Sequence, residues 1–112
     1  MKTIREFCPQ ADRYAFDFEL CSVAKGFAQV DTSQDASYFG TWANPTTMTV
    51  VTYIEGDVVI RFAENEAEFR DELIGIERWN LENGHDFKGI DAMCNVDLKS
   101  KFQNLGLSDL LH

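Results

Sequence analysis

Near residue 63 the apolar period of this chain changes from two to 3.6. Period two marks strands, whose side chains alternate between faces, and period 3.6 marks helices, which present a stripe. Strands that come first and helices that follow make an α+β fold rather than an alternating α/β one. Consecutive strands joined by short connections pair antiparallel.

Strand segments run from residue 13 to residue 62. Arg13 to Cys21 alternates, with Tyr14, Phe16, Phe18 and Leu20 on one side. Gly26 to Thr32 is a second candidate and Ser37 to Ala43 a third. In the third, Tyr38 and Trp42 share a face with Gly40 between them, which suggests a bulge or a close neighbouring backbone. Asn44-Pro45 marks a turn, because proline keeps the residue before it out of the helical region. Thr47 to Ile54 and Val58 to Phe62 carry the strongest pattern. Both are rich in β-branched residues, and Glu55-Gly56-Asp57 joins them as a hairpin. Val58, Ile60 and Phe62 form its buried side, with Arg61 outward.

The helical part opens at Asn65, an N-cap residue with Glu68 three positions on, as in a capping box. Phe69, Leu73, Ile76 and Asn80 follow helical spacing. Gly84 suits the left-handed position just past the helix end. A connector follows, with Phe87, Ile90 and Met93 as core anchors. Asn95 then caps a second helix that carries Leu98, Phe102 and Leu105 on one stripe and ends at Gly106. Ser108 caps a last short turn. The predicted architecture is a four- or five-stranded antiparallel meander sheet with one long helix (about 65–83) and a C-terminal helix packed on one face. A length of 112 residues suits one core. Residues 1–12, interrupted by Pro9, read as an N-terminal arm, and 13–112 as a single α+β domain.

Charge narrows the partners. The chain has 19 acidic and 10 basic residues, a net charge of −9. Five of those nine charges come from Glu64 to Glu82, where seven carboxylates meet only Arg70 and Arg78. On a wheel of ~100° per residue, Glu64, Glu68, Asp71, Glu72 and Glu82 fall in one arc of about 100°, opposite Phe69 and Leu73. Trp79 borders that arc, and Glu66 is placed to pair with Arg70 at i+4. No basic face for nucleic acid is visible. Such a surface repels anionic membranes and favours basic protein surfaces. The helix dipole also accounts for carboxylates in the first turn, and acidity by itself aids solubility.

Little else in the sequence carries chemistry. Cys8, Cys21 and Cys94 are odd in number and widely spaced, and read as inert thiols of a reducing compartment. No signal peptide is seen, and no run approaches the ~18 apolar residues of a membrane span, so the chain reads as cytoplasmic. His85, His112 and Cys94 are too scattered for zinc, and Asn83-Gly84-His85-Asp86 lacks a calcium loop. His85 beside Asp86 is the one internal pair suited to a hydrolase, without a G-x-S-x-G motif to support it. No glycine-rich phosphate loop is present. The sequence therefore implies no cofactor and no metal. Tyr38, Trp42 and Tyr53 make an aromatic sheet face. Acidic residues at the neighbouring turns make it unsuitable for single-stranded nucleic acid. It reads as a packed face or, where exposed, as a protein contact.

The segment from Gly26 to Pro45, with its Tyr38-Phe-Gly-Thr-Trp-Ala-Asn-Pro45 core, continues into Tyr53-Ile-Glu-Gly-Asp57. It resembles a group of short acidic proteins of bacteria, phages and plasmids that have no known activity. The resemblance extends through Phe87-Lys-Gly-Ile-Asp91. It implies a phage or mobile-element accessory factor and, by analogy, an inhibitor of host defence or a DNA mimic. It implies no functional residue.

The sequence thus favours a small acidic non-enzymatic interaction protein over an enzyme. Its partner would be a basic protein surface, with no direct contact to nucleic acid or membrane. The contact candidates are Glu64, Glu68, Asp71, Glu72, Trp79 and Glu82 on the helix, and Tyr38, Trp42 and Tyr53 on the sheet. One alternative is a small ligand-binding or hydrolytic domain with a site near His85 and Asp86. The other is a homodimeric or complex subunit of structural role.

Overall fold

Branching at Cβ stiffens a chain and favours the pleated conformation, and the β-branched hairpin lies within the sheet. The computed structural model of the chain describes residues 2–3, 26–31, 39–54, 57–92 and 95–111. Side chains of residues 2, 3, 39, 53, 54, 57 and 58 lie outside that description. So do the strand expected over 13–21, Tyr38, the Glu55-Gly56 turn and all three cysteines.

The strands are β1 (Lys2–Thr3), β2 (Ala28–Val30), β3 (Phe39–Asn44), β4 (Thr49–Ile54), β5 (Asp57–Phe62) and β6 (Ile90–Asp91). The helices are α1 (Glu66–Glu82) and α2 (Val96–Asn104), and a 3-10 turn spans Ser108–Leu110. Every strand pair is antiparallel, in the order β1-β5-β4-β3-β2-β6. The α+β class and the meander are as the sequence predicts. Two edge strands extend the meander. Lys2 pairs with Phe62 and Val30 with Ile90. Strands of two residues carry no period, so the sequence presents them as an arm and a connector. No helix among the described residues is long and apolar enough to cross a membrane.

Register fixes which residues share a face. Ala43 lies opposite Val50 and Val50 opposite Arg61, while Trp42 lies opposite Val51 and Val51 opposite Ile60. Val50 and Val51 are neighbours that point to opposite faces, yet both are fully buried. The sheet is therefore buried on both sides, and the continuous Val-Val run in β4 reflects that. On the first face Ala28, Val30, Ala43, Val50 and Ile90 belong to one buried cluster with Phe69 and Leu73 of α1 and Leu98 and Phe102 of α2. Arg61 belongs to this face, so it does not point to open solvent as the sequence suggests. Alternation tells which residues oppose each other, but not which side is wet.

The turn between β3 and β4 follows from Asn44. Its Oδ1 accepts the backbone N–H groups of Thr46 and Thr47 at 2.9 and 3.1 Å, a side chain standing in for a backbone turn. Both helices start as expected. Asn65 Oδ1 accepts from Glu68 N at 2.8 Å, and Asn95 Oδ1 accepts from Leu98 N at 3.0 Å.

Both helices also end alike. Gly84 and Gly106 take φ of +74° and +77°. Past α1, His85 N donates to Asn80 O and Gly84 N to Leu81 O; past α2, Leu107 N donates to Phe102 O and Gly106 N to Gln103 O. This double closure satisfies carbonyls that the helix leaves open. An alanine at Gly84 must hold the same left-handed backbone with a Cβ, which costs about 1–2 kcal/mol. Gly84→Ala should accordingly lower the urea midpoint without changing the slope of the transition.

Candidate contact surface

The end of α1 presents Trp79, the one exposed Phe, Tyr or Trp among the residues whose side chains are described. The left-handed Gly84 turns the backbone so that His85 N reaches Asn80 O at 2.9 Å. The same turn brings the His85 ring onto Trp79, six residues back. The rings stack with centroids 5.8 Å apart and an interplanar angle of 17°. Asn83 Nδ2 donates to Trp79 O at 2.8 Å and tightens the same turn. Trp79 is thus held in place from one side, yet it remains 54% exposed. His85 reads here as the support for an exposed indole.

The structure sorts the acidic arc. Glu64, Asp71 and Glu82 are exposed, and Glu68 is half-buried. Glu72 is turned toward the sheet, where its Oε1 meets Arg61 Nη1 at 2.5 Å. The sequence placed Glu72 with the outward carboxylates, because the wheel shows direction and not what lies under the flank. The arc offered to a partner is therefore thinner than the wheel suggests. Arg70 also departs from its expected partner. Its Nη1 donates to Leu105 O at 3.3 Å, at the C-terminal end of α2, where exposed carbonyls favour a cation. Among the described residues no Glu66–Arg70 ion pair forms.

The aromatic sheet face behaves differently. Trp42 is only 8% exposed, so it offers little surface to a partner. Its six-membered ring lies over Gly40, where a Cβ would fall 2.7 Å from Cζ3. The glycine expected to mark a close approach does so, and the approaching group is the neighbouring indole rather than a backbone. Tyr38 lies outside the described residues, and Tyr53 is described only as backbone in β4.

The sequence did not single out the space beside Trp79. Thr41, Thr52 and Arg61 of the sheet and Gly75, Ile76 and Asn80 of α1 line a cavity of about 370 Å³ there. One signal was available, since Asn80 is a polar residue on the buried stripe of α1. His85 does not line this cavity, so the cavity gives no support to a hydrolytic site at His85 and Asp86. Among the described residues no cluster of three His, Cys, Asp or Glu side chains is placed to hold a metal ion. No family model, no curated protein and no solved structure matches the chain.

Proposed function

We propose that this chain is a non-enzymatic interaction protein that offers the outer face of α1 to a basic protein surface. The observation that carries the reading is Trp79. A large aromatic ring stands in solvent, braced by His85, beside a row of exposed carboxylates that includes Asp71 and Glu82. Tryptophan is strongly enriched among the few residues that dominate binding energy, and a rigid ring loses little entropy on contact. The carboxylates supply steering toward a positive surface. In a mobile-element setting, which the sequence resemblance supports, a host nucleic-acid-binding protein is a natural partner with such a surface.

The same charge disfavours self-association through this face. An isologous dimer would set the carboxylate rows of two copies against each other. The sheet-mediated dimer loses Trp42, its central aromatic, to burial.

Charge reversal tests the electrostatic part. With a partner recovered by affinity capture and then purified, the double variant Asp71→Lys, Glu82→Lys should slow association about tenfold or more at low salt. Its dissociation rate should change little. Equal association rates for the variant and the parent would remove the carboxylate row from the account.

A further inference from the structure

Three features that the fold does not require border one space. The first is Asn80, 3% exposed. Its Nδ2 donates to Ile76 O at 2.9 Å, which fixes the amide orientation and leaves Oδ1 as an acceptor. Among the described residues no donor reaches that oxygen, although it is buried. The second is Arg61. One terminal nitrogen meets Glu72 and the other donates to Thr52 Oγ1 at 3.1 Å. Among the described residues its buried Nε–H has no acceptor. Buried polar groups in native proteins are nearly always satisfied, by protein, ordered water or ligand, so each such group calls for a partner.

The third feature is Gly75, in the middle of α1. A Cβ built there meets no heavy atom within 4 Å, so packing does not demand glycine. Glycine at such a position weakens the helix relative to alanine. What it provides is an open notch in the wall of the cavity. Arg61, Gly75, Ile76, Trp79 and Asn80 all line this space of about 370 Å³. That volume falls within the range of roughly 300–1,000 Å³ seen for small-molecule pockets.

We propose that this cavity binds a small uncharged molecule carrying a carboxamide or an equivalent amide edge on a flat apolar body. A carboxamide presents a donor for Asn80 Oδ1 and an acceptor for Arg61 Nε–H on one rigid, uncharged edge. Its apolar body packs on Ile76 and Trp79. An anion is disfavoured, because Glu72 already answers the Arg61 charge and Asp71 adds a carboxylate to the lining. A group with donors alone leaves Arg61 Nε–H unsatisfied. The inference does not rest on the partner proposed for the outer face, although the two sites share Trp79 and Asp71.

Three isosteric probes separate the possibilities: benzamide, benzoate and benzamidinium. Binding is read from ¹⁵N–¹H spectra, following the Gly75 amide, the Asn80 side-chain amide and the Trp79 indole. Benzamide should give saturable shifts at millimolar concentration and bind at least about tenfold more tightly than either charged probe, because a site built on hydrogen bonds rejects analogues that leave its polar groups unpaired. Gly75→Ala puts a methyl group into the cavity wall and should weaken benzamide several-fold while the melting temperature holds or rises. Asn80→Leu should abolish the preference for benzamide over benzoate. If that variant does not fold, the result for Gly75→Ala decides. Absence of saturable shifts with benzamide overturns the proposal, as do equal affinities for the three probes or tighter binding of benzamidinium. Unchanged benzamide affinity in Gly75→Ala also overturns it, and the cavity then holds water alone.

Discussion

Phe69→Ala should destabilise the fold by about 3–5 kcal/mol. Phe69 is fully buried and lies on α1 one turn inside the Asn65 cap. Its ring belongs to the cluster that joins both helices to the first sheet face through Val30, Val50 and Ile90. Truncation removes the apolar surface of the ring and leaves a hole that the sheet, tied by its ladder, cannot close. Domains of this kind are stable by only about 5–15 kcal/mol, so the change is a large share of the total. Urea titration followed by far-UV circular dichroism measures it. Phe69→Leu keeps most of the volume and should cost markedly less. Leu81→Ala, at an exposed site on the same helix, should stay within about 0.5 kcal/mol of the parent. Similar losses at positions 69 and 81 would mean that α1 is not anchored through Phe69.

Gly40→Val tests the second face. Glycine at this position leaves room for the Trp42 indole, and a Cβ would fall 2.7 Å from Cζ3 of the ring. The ring is buried and cannot swing aside without cost. Overpacking of this kind typically costs about 1–3 kcal/mol. Residues in contact should show non-additive changes. In a Trp42→Leu background the penalty for Gly40→Val should therefore shrink. An equal penalty in both backgrounds would assign the effect to strand propensity and not to the indole.

These two sites show what the sequence can reveal. Gly40 was legible as a place of close approach, but the sequence pointed to a bulge or a neighbouring backbone where the indole two residues on fills the space. The caps at Asn65 and Asn95 and the stops at Gly84 and Gly106 were legible because each acts within a few residues. The hairpin of β4 and β5 was legible from its β-branched alternation. What escaped was tertiary. The edge strands β1 and β6 each have two residues and gain their conformation only from partners far along the chain. Arg61 and Glu72 looked like outward charges until the helix and the sheet were set together. The unsatisfied atoms of Arg61 and Asn80 arise from the same juxtaposition. Asn80 on a buried stripe was the one hint, and His85 stacking on Trp79 needed the αL turn at Gly84 to become visible.

The central claim is that Trp79 and its carboxylate frame form the contact surface. Affinity capture at two salt concentrations, with the parent protein and Trp79→Ala side by side, tests it most directly. A basic protein should bind the parent at about 0.05 M salt and be released at about 0.5 M, where the Debye length shrinks to a few ångströms. The same protein should bind Trp79→Ala roughly thirtyfold more weakly, the loss of about 2 kcal/mol that marks a dominant interface residue. A partner held equally by parent and variant, or held regardless of salt, would contradict the account.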